Sequence, residues 1–439
     1  MSNLFRRPLG APLAGMKRLG LLRRWALPLR LAPFLAVMGP GMLTGIVDDD
    51  PSGITGYSLA GVHFGYDLLW AVVVATVALA IIAEIAARMG AVTGKGLGEL
   101  IRERFGVRIT AFALLVLFIA NAATTVSEFA GIAGASEIFG VSPYITVPLA
   151  ALLIFTVVVR GTYRRVEKVL LIGALVSFSY VITAFLAGPD WGDVARSSVV
   201  PQFHLTLPYL TLLIGLIGTT ITPWQQFYLQ SSVVDKGLGE REYPMERIDV
   251  YAGSAAAGII AFFIIVTTAA TLHANAQPAD TVTDVGKALE PLAGDFAAKL
   301  FAIALLNAGL LGAAVLPLTT AYAICGAFGW ERSINAPLRE APVFFGLFGG
   351  LLLIGTVVVL IPGAPLLVLM FLPNVVGGIL LPVILILMLK LVTDRHIMGD
   401  WVSTAKGTLI AWLVTGAIIV VSVVYAVIAV LDALGLVGG

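Results

Sequence analysis

Charged residues are scarce in this chain, and the scarcity indicates its class. Asp, Glu, Lys and Arg make up only 12% of the 439 residues, whereas ordinary soluble domains carry about 25%. Hydrophobic residues make up 59% and the mean hydropathy is +0.98. Apolar runs of about 20 residues, long enough for a membrane-spanning helix, recur along the chain. The composition therefore excludes a soluble domain and predicts an all-α polytopic protein embedded in the lipid bilayer.

Several sequence motifs for redox chemistry, metal binding and nucleotide binding are also missing. The sequence has no CxxC pair, no histidine pair with metal-ligand spacing, no P-loop and no nucleotide-binding glycine motif. Its single cysteine, Cys325, cannot form an internal disulfide. No nucleophile–base pair can be recognised, so we expect neither an enzyme nor a bound cofactor. ATP hydrolysis within this chain and a nucleic-acid partner are likewise not expected.

Hydropathy predicts eleven membrane spans. Their predicted limits are 32–63, 67–89, 109–137, 142–160, 167–187, 206–232, 248–273, 296–328, 342–361, 365–390 and 407–433. All of the 27 Lys and Arg residues except Arg196, Lys287 and Lys299 fall in the N-terminal segment or in the even-numbered turns. The positive-inside rule then puts the N-terminus in the cytoplasm and the C-terminus outside, in a plasma (inner) membrane.

Histidines are absent from the middle of these spans. Three lie near predicted outer ends and one lies in a cytoplasmic turn: His63, His204, His273 and His396. No imidazole is therefore placed at mid-membrane to move protons near neutral pH.

Two spans, the first and the sixth, are interrupted by polar residues. Broken helices in corresponding positions of two halves are typical of inverted-repeat transporters with a site at mid-membrane. Five spans per half and one extra span predict a LeuT-type 5+5 inverted repeat. The predicted organisation is a basic cytoplasmic arm (1–31), repeat one (32–187), an extracellular loop (188–205), repeat two (206–390), and a cytoplasmic turn with the eleventh span (391–439).

The first break, predicted over residues 48–53, places three consecutive carboxylates at mid-membrane depth: Asp48, Asp49 and Asp50. A carboxylate there costs at least a few kcal/mol and is found where a site needs it. One aspartate is enough to cap a helix that starts at Pro51. We therefore expect at least one of the three to bind a cation, with Asp50 as the principal ligand beside carbonyls freed by the break.

The second break surrounds Thr222-Pro223-Trp224-Gln225-Gln226 and offers hydroxyl, amide and carbonyl oxygens without sulfur. One interpretation is a proline kink whose polar neighbours satisfy the backbone. The other is the facing wall of the ion site, with Thr222, Gln225 and Gln226 as ligands or as partners of ligand-bound water. Oxygen-only surroundings favour hard cations.

Three polar side chains lie inside other spans. Glu128 is well inside the third span, with Thr125 about a turn below on a similar face. Glu128 either makes a packing hydrogen bond or takes part in the site. Asn307 and Asn374 are lone amides, for which interhelical hydrogen bonds and a site role are both open.

These motifs resemble the natural resistance-associated macrophage protein (Nramp) family of metal transporters. Gly39-Pro40-Gly41, eight residues and then Asp50-Pro51 match its first-span pattern of GPG, eight residues and DPGN. The resemblance implies that Asp50 is the metal-binding aspartate. It also puts Glu128 on the glutamate of the family's ATDLAE-like third-span stretch. The resemblance covers the eleven-span plan from about residue 35 onward.

The chain departs from the family pattern at positions that affect the choice of ion. The family's Asn after DPG is Gly53, its sixth-span Met and His are Thr222 and Trp224, a second sixth-span His aligns with Gln230, and its third-span Asp is Thr125. In the family the Met gives selectivity for transition metals, and the His and Asp serve proton movement. The DPSG-like and TPWQQ-like motifs instead look like those of the Nramp-related magnesium transporters.

The sequence therefore predicts a secondary transporter that imports partly hydrated Mg²⁺, and also Mn²⁺, as its substrate. Loss of a thioether removes the preference for Mn²⁺ and Fe²⁺, and Mg²⁺ keeps several waters when one or two carboxylates bind it. Alternating access without obligatory proton coupling is expected. Asp48 and Asp49 would bind the ion, hold its waters or attract cations. Gly53 would widen the site, and a gating or coupling role is assigned to Glu128, Thr125, Gln230 and Asn374.

Three other functions stay open on the sequence alone. A proton-coupled Mn²⁺/Fe²⁺ transporter of the same fold would use Asp49 or Glu128 in place of the missing histidine. An amino-acid or amine carrier shares the LeuT-type plan, although an acidic break does not suit a substrate carboxylate. A channel would show far higher fluxes and would not need two broken helices.

Overall fold

The computed structural model describes residues 39–47, 49–160, 170, 173–332, 334 and 337–434. The predicted basic arm and Asp48 lie outside these residues. Every regular element of the described part is a helix, as the composition predicts.

The first half of the chain contains seven α-helices in its described residues. They are α1 (Pro40–Val47), α2 (Pro51–Phe64), α3 (Leu69–Thr93), α4 (Leu97–Ile138), α5 (Pro143–Val159), α6 (Phe178–Ala187, after a 3₁₀ turn at Ala174–Ser177) and α7 (Trp191–Val199).

The second half contains ten more among the described residues. They are α8 (Leu207–Thr220), α9 (Pro223–Asp235), α10 (Tyr243–Thr268, followed by a π turn at Ala269–His273), α11 (Val282–Gly286), α12 (Glu290–Ala293), α13 (Ala297–Phe328), α14 (Pro342–Val359), α15 (Leu366–Val392), α16 (Arg395–Met398) and α17 (Ala405–Ala433). Short 3₁₀ turns lie at Lys287–Leu289, Gly294–Phe296 and Gly399–Trp401.

The predicted spans coincide with apolar helical segments. Eight segments of the described chain are long and apolar enough to cross a membrane. Two shorter apolar helices, Pro143–Val159 and Ala174–Ala187, occupy the fourth and fifth predicted positions, and the α1–α2 pair occupies the first. The helical positions agree with the predicted map, while the count of eleven spans stays a prediction.

Two helices extend beyond what hydropathy indicates. α4 begins at Leu97 rather than at residue 109, because its charged first turns are helical too, with one backbone break at Gly106 (φ 76°). α7 lies inside the predicted loop 188–205. Asp190 caps it by accepting hydrogen bonds from Gly192 N (2.7 Å) and Asp193 N (3.3 Å). A hydropathy window misses a short helix that buries only one face.

Both predicted helix breaks are present, and at each a polar N-cap residue is followed by proline. α1 ends at Val47 and α2 begins at Pro51 with Asp50 as its N-cap. α8 ends at Thr220, and α9 begins at Pro223 with Thr222 as its N-cap. A polar cap followed by proline starts a helix but cannot continue one. The first break is shorter than predicted, since residues 51–53 already belong to α2.

The half-helix α1, before the first break, packs against α10 backbone to backbone. A Cβ at Gly41 would lie 2.6 Å from the Cα atom of Val250, and a Cβ at Gly45 would lie 2.3 Å from the carbonyl oxygen of Gly253. Small residues at such contacts let two helices approach closely in a membrane. Asp249 of α10 also accepts hydrogen bonds from three backbone N–H groups at the start of α1: Gly39 (3.2 Å), Gly41 (2.7 Å) and Met42 (3.3 Å).

A second close backbone contact joins α8 to α15 beside the second break. A Cβ at Gly218 would lie 2.0 Å from the carbonyl oxygen of Asn374 and 2.4 Å from the backbone nitrogen of Gly378. The sixth-span helix is therefore held against α15 at the turn that precedes Thr222.

Candidate metal site at the two helix breaks

The carboxylate of Asp50 is fixed in the first break by its own helix. Its Oδ1 accepts hydrogen bonds from Ser52 Oγ (2.6 Å) and from Gly53 N (2.7 Å), and the residue is buried. These bonds orient the carboxylate and leave Oδ2 for another partner. Gly53, a predicted metal-site residue, contributes a backbone N–H to this cap.

Glu128 of α4 faces Asp50, so the structure brings together the two carboxyl groups that the sequence singled out. The side chains interact directly. Glu128 is fully buried, and apart from the Asp50 carboxyl group no group of the described residues hydrogen-bonds its carboxyl oxygens. Two buried carboxyl groups facing each other repel unless a proton or a cation lies with them.

Asp49 points to a different place from Asp50. It lines a small cavity together with Val47, Ser177 and Asn307, between the first break, the start of the fifth predicted span and α13. Asn307 also donates a hydrogen bond to the carbonyl oxygen of Leu170 (3.0 Å), which is one of the interhelical bonds that the sequence left open. Of the two described carboxylates at the first break, only Asp49 lines this cavity, while its charge still interacts with that of Asp50.

At the second break, the two adjacent glutamines have different surroundings. Gln225 Oε1 accepts a hydrogen bond from Thr222 N (3.0 Å), so Gln225 helps to cap α9, and it lines a cavity toward α1, α3 and α10. Gln226 is fully buried, and its amide oxygen and nitrogen are both without a hydrogen-bond partner in the described chain. A buried amide without a protein partner needs a water molecule or a ligand to satisfy its hydrogen bonds. Gln226 is thus the stronger candidate of the two for contact with a hydrated ion.

One hydrogen bond connects the two broken spans directly. The hydroxyl groups of Tyr57 in α2 and Thr220 in α8 lie 2.9 Å apart, and both residues are buried. Asn374 of α15 joins the same region, because its Nδ2 donates to the carbonyl oxygen of Ser52 (2.7 Å). Asn374 therefore contacts the first turn of α2, and its gating or coupling role stays a prediction.

Two predicted coupling residues have partners elsewhere. Thr125 donates to the carbonyl oxygen of Asn121 in its own helix (2.7 Å). Gln230 donates to the carbonyl oxygen of Lys95 (2.8 Å), and it lies seven residues after Pro223, or about 10 Å along the helix axis. Their gating or coupling roles stay predictions.

Sequence reasoning missed three contributors. Ser52 and Tyr57 lie in α2, just after the first break. The predicted cap at Asp50 could have pointed to Ser52, and packing between the two broken spans could have pointed to Tyr57. Gly312 of α13 lies against the Glu128 carboxyl group. Nothing local to its own segment distinguishes Gly312 from the other glycines of that helix.

The sequence profile described as "Natural resistance-associated macrophage protein-like" matches residues 41–428 of this chain. The chain belongs to the Nramp family. Two relatives are both named divalent metal cation transporter MntH. The Erwinia tasmaniensis protein is 33% identical over 286 residues, covering 63% of this chain and 68% of its own. The Deinococcus radiodurans protein is 29% identical over 405 residues, covering 89% and 88%.

Solved structures agree with this membership. A manganese transporter of Eremococcus coleocola, in complex with an aromatic bis-isothiourea substituted compound, aligns with a TM-score of 0.74 and 20% identity over 88% of this chain and 85% of its own. Mhp1, a nucleobase-cation-symport-1 family transporter, aligns with a TM-score of 0.52 and 16% identity over 90% and 92%. The likeness confirms the predicted all-α, LeuT-type fold. Nramp relatives are named as transporters, so this chain is a multi-pass membrane transporter and not an enzyme.

Proposed function

We propose that this Nramp protein imports a partly hydrated divalent metal cation, Mg²⁺ and also Mn²⁺, by alternating access. Relatives named as divalent metal cation transporters, and a manganese transporter of the same fold, support the divalent class. The observation that carries the proposal is the buried pair of carboxyl groups, Asp50 and Glu128, at the first break. Such a pair attracts a compensating positive charge, and a divalent cation supplies it.

The preference for Mg²⁺ rests on the chemistry of the polar residues at the two helix breaks and of Asn374, which contacts the first. Ser52, Gln226 and Asn374 offer only oxygen and nitrogen, and Thr222 stands where the resemblance puts the family's Met. Without a thioether, the site has no soft ligand that favours Mn²⁺ or Fe²⁺. Mg²⁺ retains waters, which the unpartnered amide of Gln226 can bind. Asp48 and Asp49 would raise the cation concentration near the break.

Proton coupling is not required for inward transport of such an ion. An inside-negative membrane potential favours entry of a divalent cation by about 4.6 kcal/mol per 100 mV. The resemblance assigns proton movement in the family to a His and an Asp, and the corresponding positions here are Trp224 and Thr125. We therefore propose passive, potential-driven import.

Selectivity gives a direct test of the proposal. In liposomes containing the full chain, millimolar Mg²⁺ is expected to compete with Mn²⁺ uptake. Thr222→Met, which restores a thioether at the second break, is expected to shift the preference toward Mn²⁺ by about tenfold. Thr408→Met, at the start of α17, is the matched control and should leave the competition unchanged. Uptake of Mn²⁺ that millimolar Mg²⁺ does not slow would contradict the Mg²⁺ assignment.

A second candidate is a proton-coupled Mn²⁺/Fe²⁺ transporter of the same fold. The observation that favours it is Glu128, whose carboxyl group could share a proton with Asp50. The two candidates differ in the pH of the vesicle lumen. Metal entry that acidifies the lumen in the parent protein, and no longer does so in Glu128→Gln, would favour proton coupling. Metal entry without acidification supports potential-driven import.

A further inference from the structure

The carboxyl group of Glu128 occupies a space that exists because residue 312 has no side chain. A Cβ built at Gly312 of α13 would lie 2.3 Å from Glu128 Cδ and 2.4 Å from each carboxyl oxygen. Atoms at these distances overlap, since non-bonded carbon atoms prefer separations of about 3.5–4.0 Å. Any residue other than glycine at 312 would therefore compete with Glu128 for the same volume.

Within the described chain, the carboxyl group of Glu128 interacts with the carboxyl group of Asp50, and no other group hydrogen-bonds its buried oxygens. The terminal torsion of a glutamate is broad, so this one contact does not fix the side chain by itself. The shape of the surroundings therefore helps to set where the carboxyl group lies, and α13 supplies one wall of that space.

We propose that Gly312 is a positioning residue for the metal site, acting through Glu128. It leaves the room in which the Glu128 carboxyl group can face Asp50. This inference rests on the proposed function, in which Asp50 binds the transported cation, and it adds α13 to the elements that shape the site.

The overlap at Gly312 differs from the other close contact on the same helix face. A Cβ at Gly309 would lie 2.8 Å from the backbone carbonyl oxygen of Glu128, so a side chain there would push the two helices apart. At Gly312 the overlapping atoms are the end of a flexible side chain. A methyl group at 312 is expected to displace the carboxyl group of Glu128 and leave the packing of α4 against α13 in place.

The test is divalent-metal binding by calorimetry on the full chain in detergent, with Mn²⁺ and Mg²⁺ as probes. Gly312→Ala is expected to weaken binding by about tenfold. Glu128→Asp has a side chain one methylene shorter, so Gly312→Ala combined with Glu128→Asp is expected to bind more tightly than Gly312→Ala alone. Gly350→Ala in α14 is the matched control, because a Cβ there meets no atom within 4 Å. It should bind like the parent.

The outcomes separate this inference from the proposed function. If Asp50→Ala abolishes binding but Gly312→Ala binds like the parent, the positioning role is wrong and the metal site stands. Equal weakening by Gly312→Ala in the parent and in Glu128→Ala would also overturn it, because the loss would not act through Glu128. A parent that binds neither probe overturns both.

Should Gly312→Ala lower the melting temperature, stability replaces binding as the measurement. Removal of the Glu128 carboxyl group by Glu128→Ala should then restore the melting temperature, because the overlap disappears with it. A melting temperature that stays low in the double variant would contradict the inference.

Discussion

Replacing Asp50 with alanine is expected to abolish divalent-metal binding and uptake, the largest effect that we predict for a single residue. The change removes both the proposed principal ligand and the cap of α2, because Oδ1 accepts the hydrogen bonds from Ser52 and Gly53. Loss of an N-cap costs about 1 kcal/mol of stability. Loss of a buried charge partner costs about 2–5 kcal/mol, or a roughly 30-fold or greater weakening of binding.

Asp50→Asn separates the role of Asp50 as a charged ligand from its role as the cap of α2. Asp50→Asn keeps a side-chain oxygen that can accept from Gly53 N, so its melting temperature should stay near that of the parent while metal binding falls. Asp190, which caps α7 at an exposed position, provides the matched pair of controls, Asp190→Ala and Asp190→Asn. Neither control should alter binding. If calorimetry finds the same affinity for Mg²⁺ in Asp50→Asn as in the parent, the assignment of Asp50 as the charged ligand is wrong.

Replacing Asp249 with alanine is expected to release the half-helix α1 from α10. Its carboxylate accepts hydrogen bonds from the backbone N–H groups of Gly39, Gly41 and Met42. A buried donor left without a partner costs about 1–3 kcal/mol, so two buried donors and the part-buried N–H of Met42 together disfavour the packed position strongly. In Asp249→Ala, a cysteine placed at Thr44 should react with a maleimide at least about tenfold faster than in the parent background.

The chain suits this measurement because its single native cysteine, Cys325, is buried. Glu246 lies one turn earlier on α10 and is also buried, and its carboxyl oxygens have no hydrogen-bond partner within the described residues. Glu246→Ala is therefore the control that removes a neighbouring carboxylate without removing a bond to α1. Labelling of Thr44→Cys that is equally slow with and without Asp249 would show that α1 does not depend on this bond.

The two helix breaks could be read from the sequence because their causes are local. A polar cap and a proline at Asp50-Pro51, and again at Thr222-Pro223, start a helix whatever surrounds them. The capping function of Gln225 could also have been foreseen, since Thr followed three residues later by Gln is a capping box. The sequence prediction instead left the same interpretations open for Gln225 and Gln226, namely satisfying the backbone at a proline kink or binding the ion or its waters.

Pairings between distant segments could not be read in this way. Periodicity places Glu128 inside its span but does not say which neighbour its carboxyl group faces. Asp249 was not singled out, because an acidic residue near a cytoplasmic helix end is usual, and its three bonds go to backbone atoms some 200 residues away in the chain. The role of Gly312 comes from its lack of a side chain. The importance of that lack can be recognised only from the packing of α4 against α13.

The two hydrogen bonds that Oδ1 of Asp50 accepts also bear on the speed of the transport cycle. A carboxylate that already serves a hydroxyl and a backbone N–H attracts a cation less strongly than one without donors. A carrier must let its ion leave as well as enter, and differences in affinity arise mostly in the dissociation rate. If Asp50 binds the ion as we propose, the cap that starts α2 is expected to shorten the residence time of the ion and so to raise the turnover of the transporter.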